Sequence, residues 1–302
     1  MGEPMVEFNE HAPGMFQLGF GGDTSNCAIT AARQGARVSY LTALGCDAFG
    51  DRLLVLWAQE NVNAQHVLRD EAHSTAHYVV THGDDGHVFT YHRTGSAVSH
   101  MQAANLPRAY LQATKFLHVS AISQAISEQM CQSILGAIEL ARAGGAQVAY
   151  DTNLCLQLWP LERAQQLIHD ALTRCDIAVP GYRGVVALTG LAKADDIVDS
   201  YLALGPSIVA LSLGADGVLV ADGGRREHIV GHAVSALDAT AAGDTFDGAF
   251  LSLLAAGRDM FDAARYANAA AALSTTAYGA VASMPNRTQF KQFKQFMAGR
   301  QA

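Results

Sequence analysis

Residues 238–246 read Asp-Ala-Thr-Ala-Ala-Gly-Asp-Thr-Phe, and this stretch says more about the fold than any other. Its small residues let the backbone pass close to a ligand, and the apolar spacing from Phe246 onward predicts a helix with one buried face. The first N–H groups of a helix have no partner within it, and the helix dipole favours an anion beside them. We therefore expect the amides of residues 241–244 to face a ligand, with the Asp244 carboxylate placed to accept a proton. A purely structural role, in which Asp244 only caps the helix, fits the residues equally well.

The rest of the chain alternates between strand and helix patterns, which is typical of a parallel sheet covered by helices on both faces. Strands are predicted at 38–42, 116–120, 148–150, 177–179 and 208–213, with an added hairpin strand at 218–221. Helices are predicted at 127–143, 161–173 and 194–204, and two more at 243–256 and 260–277 are predicted to close the chain. We therefore predict a three-layer α/β/α fold with a mostly parallel central sheet, formed by residues 1–302 as a single domain. Ligands are expected at the C-terminal ends of its strands.

A second, smaller sheet is predicted early in the chain. Two β-rich runs at 76–81 and 87–93 flank Gly-Asp-Asp-Gly at 83–86, which is a strong hairpin signal. A strand pattern also occurs near residues 5–8. We therefore predict a small β-sheet lid, built from residues near 5–20 and 74–100, which stands away from the main sheet. Its exposed edge offers a surface for a homodimer.

The composition limits the functions that the chain can have. Half of its 302 residues are hydrophobic and 16% are charged, so a large core is possible. The net charge is −8 and no basic stripe stands out, which argues against nucleic-acid binding. No apolar run is long enough to cross a membrane, and the five cysteines form no C-x-x-C pair, which fits reduced thiols. The histidines lack companions at ligand spacing, so no direct metal site is expected. We expect a soluble, cytoplasmic protein that binds a small molecule.

Five short blocks resemble, in order, motifs of the ribokinase-like (PfkB) carbohydrate kinases. Residues 238–244 resemble the D-T-x-G-A-G-D signature of that family, and residues 21–28 resemble its G-G-x-x-x-N-x-A helix start. Residues 44–50 resemble its L-G-x-D-x-x-G block, and residues 213–217 resemble the glycine turn under the nucleotide phosphates. The fifth block consists of three residues at the positions of the adenine pocket: Asn268, Ala272 and Gly279.

The resemblance implies ATP-dependent phosphorylation of a sugar hydroxyl, with Mg²⁺ accompanying the ATP. It implies that Asp244 is the catalytic base and that the backbone of Ala241, Ala242 and Gly243 forms an anion hole. The implied nucleotide contacts are Ser212, Gly214, Gly217, Asn268, Ala272 and Gly279. The implied substrate contacts at the start of the first long helix are Gly21, Gly22, Asp23 and Asn26.

Within this family the chain most resembles the 2-keto-3-deoxygluconate kinases. Residues 2–8, Gly-Glu-Pro-Met-Val-Glu-Phe, resemble their opening, and residues 91–99 resemble their Y-Y-R-x-x-S-A-A-S stretch. Residues 151–154 resemble the start of their D-P-N-x-R-x-x-L-W segment. The resemblance implies 2-keto-3-deoxygluconate as the favoured acceptor, with further substrate contacts from Tyr91, Arg93, Asp151 and Asn153. An arginine suits a sugar acid because its planar fork binds both carboxylate oxygens.

Several positions depart from the family pattern. Ala241 stands where the family usually has glycine, and a methyl group there disfavours a positive φ. Cys155 stands where the sugar-acid kinases usually have arginine, and Ser212 replaces a usual lysine. Residues 181–184, Gly-Tyr-Arg-Gly, lack both polar members of an N-x-x-E motif that supports Mg²⁺. Two alternatives therefore stay open: a kinase for another acceptor, such as fructose, another ketose or a nucleoside, and a non-catalytic relative that binds a sugar or a nucleotide.

Three other polar residues lie near the expected cleft. Asp238 is expected to brace the loop before the anion hole. His118 and Ser120 end a predicted strand, where either a cleft position or a buried polar position in the core fits them. Family members commonly begin their first strand several residues before the position of Gly2, so a short first strand is expected here.

Overall fold

The computed structural model describes residues 1–83 and 86–300. The strands within these residues are β1 (Met5–Ala12), β2 (Met15–Gly21), β3 (Val38–Ser39), β4 (Ala43–Gly45), β5 (Val62–Asn63), β6 (Leu68–Asp70), β7 (His77–Gly83), β8 (Gly86–His92), β9 (Phe116–Ser120), β10 (Gln147–Asp151), β11 (Ile177–Ala178), β12 (Ile208–Ser212), β13 (Gly217–Asp222) and β14 (Arg226–Val230). The α-helices are α1 (Asp23–Arg33), α2 (Ala48–Gln59), α3 (Arg108–Ala113), α4 (Ala121–Ala125), α5 (Glu128–Ala143), α6 (Leu161–Leu172), α7 (Tyr182–Thr189), α8 (Ala194–Leu204), α9 (Ala242–Ala255), α10 (Met260–Ser274), α11 (Ala280–Ser283) and α12 (Arg287–Arg300). No helix of this described part is long and apolar enough to span a bilayer.

The central sheet has six strands in the order β14-β13-β12-β11-β10-β9. Strands β9 to β12 run parallel, whereas β13 and β14 add antiparallel strands at one edge. In β10, Val148 and Tyr150 belong to the core on the side of α5 and α6, and Ala149 belongs to the core on the side of α9 and α10. Successive side chains of a strand point to opposite faces, so an apolar strand contributes side chains to the cores on both sides of the sheet. The predicted three-layer fold is therefore confirmed.

A second sheet has four strands in the order β2-β1-β7-β8. Strands β1 and β2 form an antiparallel hairpin, β1 pairs in parallel with β7, and β7 pairs antiparallel with β8. These strands come from the segments near 5–20 and 74–100, so the predicted small β-sheet lid is confirmed. The predicted turn residues Asp84 and Asp85 lie outside the described residues.

The predicted strand at 38–42 is wrong in its length, since β3 ends at Ser39. The backbone changes partners at this point. The N–H of Tyr40 donates to the carbonyl oxygen of Asn63, in β5, over 2.9 Å. Two residues later the carbonyl oxygen of Thr42 accepts the N–H of Leu68, in β6, over 2.9 Å. The apolar run at 38–42 therefore pairs first with β5 and then with the residues of β6, so it does not form one continuous strand.

The prediction that two helices close the chain is also wrong, because α11 and α12 follow α10. A capping signal for α12 is present in the sequence at Asn286. Its side-chain oxygen accepts hydrogen bonds from the N–H groups of Thr288 and Gln289, over 2.9 and 3.0 Å. Asparagine is among the preferred residues at a helix start for this reason.

Candidate active site

A cavity of about 460 Å³ opens at the C-terminal ends of β10, β11 and β12, beside the N-terminus of α9. Ligands of open parallel sheets bind at this edge, where the sequence analysis expects them. The predicted site residues that line the cavity are Asp23, Asp151, Asn153, Ser212, Ala241, Ala242, Gly243 and Asp244. The fold therefore brings residues from distant parts of the sequence around one space.

The backbone at Ala241, directly before α9, is left-handed, with a φ of 59° and a ψ of 16°. A positive φ at this position is the conformation that glycine would adopt without strain. For a residue with a Cβ it costs about 1–2 kcal/mol. The turn is held by the N–H of Thr245, which donates to the Ala241 carbonyl over 2.8 Å. The alanine therefore keeps the glycine-like turn in spite of its methyl group.

The N–H groups at the start of α9 differ in whether they already have a hydrogen-bond partner within the protein. The N–H of Ala242 donates to the carbonyl oxygen of Ala239 over 3.2 Å. The N–H groups of Gly243 and Asp244 follow in the first turn, where a helix offers no internal partner. An anion at this end meets these two amides and the positive end of the helix dipole.

Asp244 is held by a residue of α1. The side-chain amide of Asn26 donates to Oδ2 of Asp244 over 2.8 Å. Burial raises the pKa of the Asp244 carboxyl well above its usual range and the carboxylate of Asp23 raises it further, whereas the Asn26 hydrogen bond lowers it. A raised pKa makes a carboxylate a stronger proton acceptor, so this group can deprotonate a hydroxyl placed beside it.

Two glycines set the position of α1. A Cβ atom at Gly248 would lie 2.4 Å from the carbonyl oxygen of Cys27, so α1 packs directly on the backbone of α9. Gly22 precedes α1 with a φ of 102°, and a Cβ atom there would lie 2.3 Å from the carbonyl oxygen of Glu3. At either position a larger residue would force the neighbouring backbone to move, and the close approach at Gly248 brings Asn26 within reach of Asp244.

Three further carboxylates line the cavity, those of Asp23, Asp151 and Asp247. Oδ1 of Asp23 accepts the N–H of Thr24 over 2.7 Å, while its buried Oδ2 has no hydrogen-bond partner among the described residues. Burial raises the pKa of the Asp151 and Asp247 carboxyls well above the usual range, and neighbouring carboxylates raise it further. The wall is therefore rich in groups that bind hydroxyls.

The predicted lid contacts Tyr91 and Arg93 are not among the residues that line the cavity, and neither are Gly21, Gly22 and Asn26. The Arg93 guanidinium forms an ion pair with the carboxylate of Glu3, and both side chains are buried. Burial raises the pKa of Glu3 to about 7, although the charge of Arg93 lowers it. The guanidinium carbon of Arg93 lies 5.4 Å from the centre of the Tyr91 ring. Arg93 therefore already has a carboxylate partner within the protein.

Of the predicted nucleotide contacts, Ser212 lies in the cavity wall and the others lie outside it. Ser212 lines the cavity, and Gly214 and Gly217 form the turn between β12 and β13, with φ values of 65° and 99°. A Cβ atom at position 217 would lie 2.0 Å from the carbonyl oxygen of Ile229, so no other residue fits there. The turn is therefore as tight as the sequence pattern predicts.

Asn268, Ala272 and Gly279 lie beyond the cavity wall. The Asn268 amide donates to the carbonyl oxygen of Val230 over 2.9 Å, and the Ala272 carbonyl accepts the Thr275 hydroxyl over 2.8 Å. Gly279 is tied to the loop before α9 by the carboxylate of Asp238.

The Asp238 carboxylate joins two loops. It accepts the N–H of Thr240 and the N–H of Gly279, each over 2.9 Å. The first bond stabilises the approach to Ala241, and the second attaches the segment after α10. Asp238 thus braces the loop before α9, as the sequence analysis expects.

Comparison with known proteins identifies the family. The family model for the pfkB family carbohydrate kinases matches residues 4–287. The chain belongs to this family. It is 31% identical to the 2-dehydro-3-deoxygluconokinase of Bacillus subtilis over 97% of this chain and 93% of that protein. It is 30% identical to the ribokinase of Haemophilus influenzae over 92% of this chain and 88% of that protein.

A solved structure supports the same assignment. The fructokinase of Vibrio cholerae, bound to fructose, ADP and a calcium ion, is similar with a TM-score of 0.87 and 27% identity. The similarity covers 97% of this chain and 96% of that one. The names of these relatives state different sugars, so they establish a PfkB sugar kinase without fixing its acceptor.

This PfkB kinase has cavity residues that sequence reasoning missed. Asp247 follows Asp244 by three residues in α9, and this spacing places two side chains on the same face of a helix. That spacing was the signal for a second carboxylate in the cavity. Arg183 also lines the cavity, although the sequence drew attention to residues 181–184 only because they lack the N-x-x-E motif. It adds an exposed cation to the wall.

His118 and Ser120, at the end of β9, have separate environments in the PfkB fold. The ring of His118 is almost enclosed, and its Nε2 lies 3.7 Å from Oδ2 of Asp247. The Ser120 side chain caps α4 by accepting the N–H of Ser123 over 3.2 Å. Ser120 thus has a structural partner, whereas His118 lies against a cavity residue.

The described residues of the cavity offer oxygen ligands to a magnesium–nucleotide complex, but they form no complete metal cage. Among the described residues, no group of three or more acidic, histidine or cysteine side chains could hold a metal ion. Mg²⁺ in kinases is held largely by phosphate oxygens and water, with one or two carboxylates. Asp151 and Asp244 are carboxylates of the cavity wall and fit that supporting role.

Proposed function

We propose that this sugar kinase transfers the γ-phosphoryl group of ATP to a hydroxyl of a sugar or sugar acid in the cavity. The observation that carries the proposal is the Asp244 carboxylate at the N-terminal end of α9, held by Asn26 beside the amides of Gly243 and Asp244. The carboxylate would take the proton of the acceptor hydroxyl. The amides would stabilise the phosphoryl group as it is transferred.

The remaining predicted contacts have matching roles in this proposal. Asp23, Asp151 and Asn153 lie in the cavity wall and would bind hydroxyls of the acceptor, while Gly21 and Gly22 shape the start of α1. Ala241 and Ala242 form the turn of the anion hole. The nucleotide would lie along Ser212, Gly214, Gly217, Asn268, Ala272 and Gly279. Mg²⁺ would arrive with ATP, and its bound charge would offset that of the phosphates.

For the acceptor, the first candidate is 2-keto-3-deoxygluconate. The resemblance of residues 2–8 and 91–99 to the kinases of this sugar acid supports it, as does the identity with the relative from Bacillus subtilis. In this version Tyr91 and Arg93 contact the sugar acid from the lid. Arg93 would then have to exchange its buried partner Glu3 for the carboxylate of the acceptor.

A neutral sugar such as fructose is the second candidate. The Glu3–Arg93 ion pair favours it, because the arginine expected to bind an acid group is already neutralised. Cys155 favours it too, since it stands where a second arginine would be expected. A neutral acceptor requires hydroxyl-binding groups only, and the carboxylates of the cavity supply them.

The decisive measurement is a coupled ADP-release assay with ATP and Mg²⁺ over a panel of sugars and sugar acids, with Asp244→Asn as the matched control. We expect acceptor-dependent turnover in the wild type that the variant loses. If sugar and nucleotide bind but no acceptor is phosphorylated, the proposal is wrong and the chain is a non-catalytic binding protein.

Two further parts of the proposal concern the surroundings of the enzyme. Apolar side chains are exposed on the outer strands β2 and β8 of the lid: Met15, Phe16, Val88 and Phe89. A homodimer through the lid would cover them, and light scattering on wild type and a Phe16→Glu variant tests it.

We also propose a cytoplasmic location. The cysteines of the described residues are all free, as is usual for proteins of a reducing compartment.

A further inference from the structure

Asp247 is a second carboxylate on the cavity side of α9. It lies three residues after Asp244, both residues line the cavity, and the Asp247 side chain is almost fully buried. A buried carboxylate needs hydrogen-bond donors or an opposite charge to offset its lost hydration. Its surroundings therefore show what kind of partner it accepts.

His118, a titratable neighbour of Asp247, does not neutralise it. Its Nε2 lies 3.7 Å from Oδ2 of Asp247, beyond hydrogen-bond distance, and that nitrogen has no hydrogen-bond partner among the described residues. Burial lowers the pKa of His118 to about 3, so the ring is uncharged at neutral pH. Asp247 thus keeps its capacity for a ligand.

Most of the ionisable residues in the cavity wall are acidic. Four are acidic and one, Arg183, is basic: the acidic ones are Asp23, Asp151, Asp244 and Asp247. Oδ2 of Asp23 is buried and lacks a hydrogen-bond partner within the described residues, which leaves a second acceptor atom for a ligand. Arg93 adds no free cation, because it is paired with Glu3.

Such a wall distinguishes hydroxyls from carboxylates. A sugar hydroxyl both donates and accepts, so it can bind an ionised carboxylate or a protonated one. A carboxylate ligand would bring a further negative charge to a wall whose clustered carboxyl groups already disfavour ionisation of Asp151 and Asp247. It would need a cation, and Arg183, the one arginine of the wall among the described residues, is exposed to solvent.

We infer that Asp247 is a specificity-determining residue that binds hydroxyls of a neutral sugar, together with Asp23, and disfavours an acceptor that carries a carboxylate. The inference rests on the proposed kinase function, but it can be tested by binding alone. The inference therefore favours a neutral sugar such as fructose over 2-keto-3-deoxygluconate as the acceptor.

The test uses Asp247→Asn, which keeps the shape of the side chain but replaces its carboxyl group with an amide that cannot ionise. For wild type and variant, kcat and KM are measured with fructose, ribose and 2-keto-3-deoxygluconate, and sugar binding is measured by calorimetry. The wild type should prefer a neutral sugar. The variant should bind that sugar about 10- to 100-fold more weakly, mainly through KM, as expected for a lost charged hydrogen bond. Its ratio of sugar-acid to neutral-sugar kcat/KM should rise at least as much.

Two controls separate specificity from stability. Asp196→Asn makes the same chemical change on the exposed surface of α8 and should leave both sugars unaffected. Asp247→Ser, a smaller polar residue, should repeat the shift in ratio if Asp247→Asn folds poorly. Thermal unfolding of each variant reports folding.

Three outcomes would overturn the inference: a wild type that prefers the sugar acid, an unchanged ratio in both Asp247 variants, or an equal loss for all acceptors. If the wild type turns over no acceptor, the kinase proposal fails separately, and the calorimetric preference decides the inference in the same way.

Discussion

The side-chain amide of Asn26 donates a hydrogen bond to Oδ2 of Asp244 over 2.8 Å, between residues 218 positions apart in the sequence. This bond joins the first turns of α1 and α9, which both begin beside the cavity. It fixes the orientation of the carboxylate proposed as the base. A side chain held in this way needs no rearrangement when the acceptor arrives, which favours catalysis.

Replacing the proposed base tests the mechanism directly. Asp244→Asn keeps the size of the side chain but cannot accept the proton of a hydroxyl. We expect kcat to fall by about 10²–10⁴-fold, the range that general bases contribute. Calorimetry should show that the nucleotide still binds. A variant that retains more than a tenth of the wild-type kcat would assign the base to another residue.

Gly248→Ala tests the packing that places Asn26. The added Cβ would meet the carbonyl oxygen of Cys27 at 2.4 Å, so α1 would have to move away from α9. Overpacking of this kind costs about 1–3 kcal/mol of unfolding free energy. Denaturant unfolding should show this loss, together with a lower kcat.

The matched control for that variant is Gly223→Ala, on an exposed turn where a Cβ would meet no atom within 4 Å. Its stability should stay close to the wild type. Equal stabilities of the two alanine variants would mean that α1 adjusts to a methyl group at no cost.

The sequence predicted the start of α9 because its signals are local. Small residues, a helix pattern and Asp244 all lie within residues 238–246, and helix ends bind anions in any fold. The strands β9 and β12 were predictable for a similar reason, since each is a short, mostly apolar run that ends at a helix start or at a glycine turn. The single-domain organisation of residues 1–302 stays a prediction.

Contacts between distant segments were beyond sequence reasoning. Arg93 was expected to meet the substrate, and its ion pair with Glu3, 90 residues away, depends on how the lid joins the main sheet. The role of Gly248 similarly becomes visible only when α1 packs against α9. Asp247 was missed for another reason, because the family signature stops at Asp244 and the helical spacing from Phe246 onward was applied to apolar residues alone.

The left-handed backbone at Ala241 predicts a difference between two neighbouring alanines. Ala241→Gly removes a strain of about 1–2 kcal/mol but adds chain entropy worth about 0.5–1 kcal/mol to the unfolded state. It should therefore leave stability unchanged or raise it by up to about 1 kcal/mol. Ala242→Gly, in the first turn of α9, relieves no strain and should lower stability by about 0.5–1 kcal/mol. Chemical unfolding of both variants checks the sign, and a less stable Ala241→Gly would contradict the argument.

The buried Glu3–Arg93 pair predicts a large stability effect on mutation. Arg93→Met leaves the Glu3 carboxyl buried without its partner, which should cost about 3–5 kcal/mol. The control is Arg163→Met in an exposed pair with Glu128, where the side chains are 52% and 64% exposed. That change should cost about 0–1 kcal/mol. Similar losses in both variants, measured by denaturant unfolding, would show that the Glu3–Arg93 pair is not desolvated.

The buried ring of His118 predicts a stability that depends on pH. Burial lowers its pKa from 6.5 to about 3, so the folded protein excludes a proton that the unfolded chain binds below pH 6.5. The contribution of His118 is therefore fully present above pH 6.5 and is lost as the pH falls toward 3. The slope is about 1.4 kcal/mol per pH unit for one proton. His118→Gln cannot take up this proton, so between pH 6.5 and pH 5 the wild type should lose about 2 kcal/mol more unfolding free energy than the variant. The same replacement at the exposed His11 serves as the control. Parallel pH profiles for wild type and His118→Gln would show that the folded protein accepts the proton beside Asp247 without penalty.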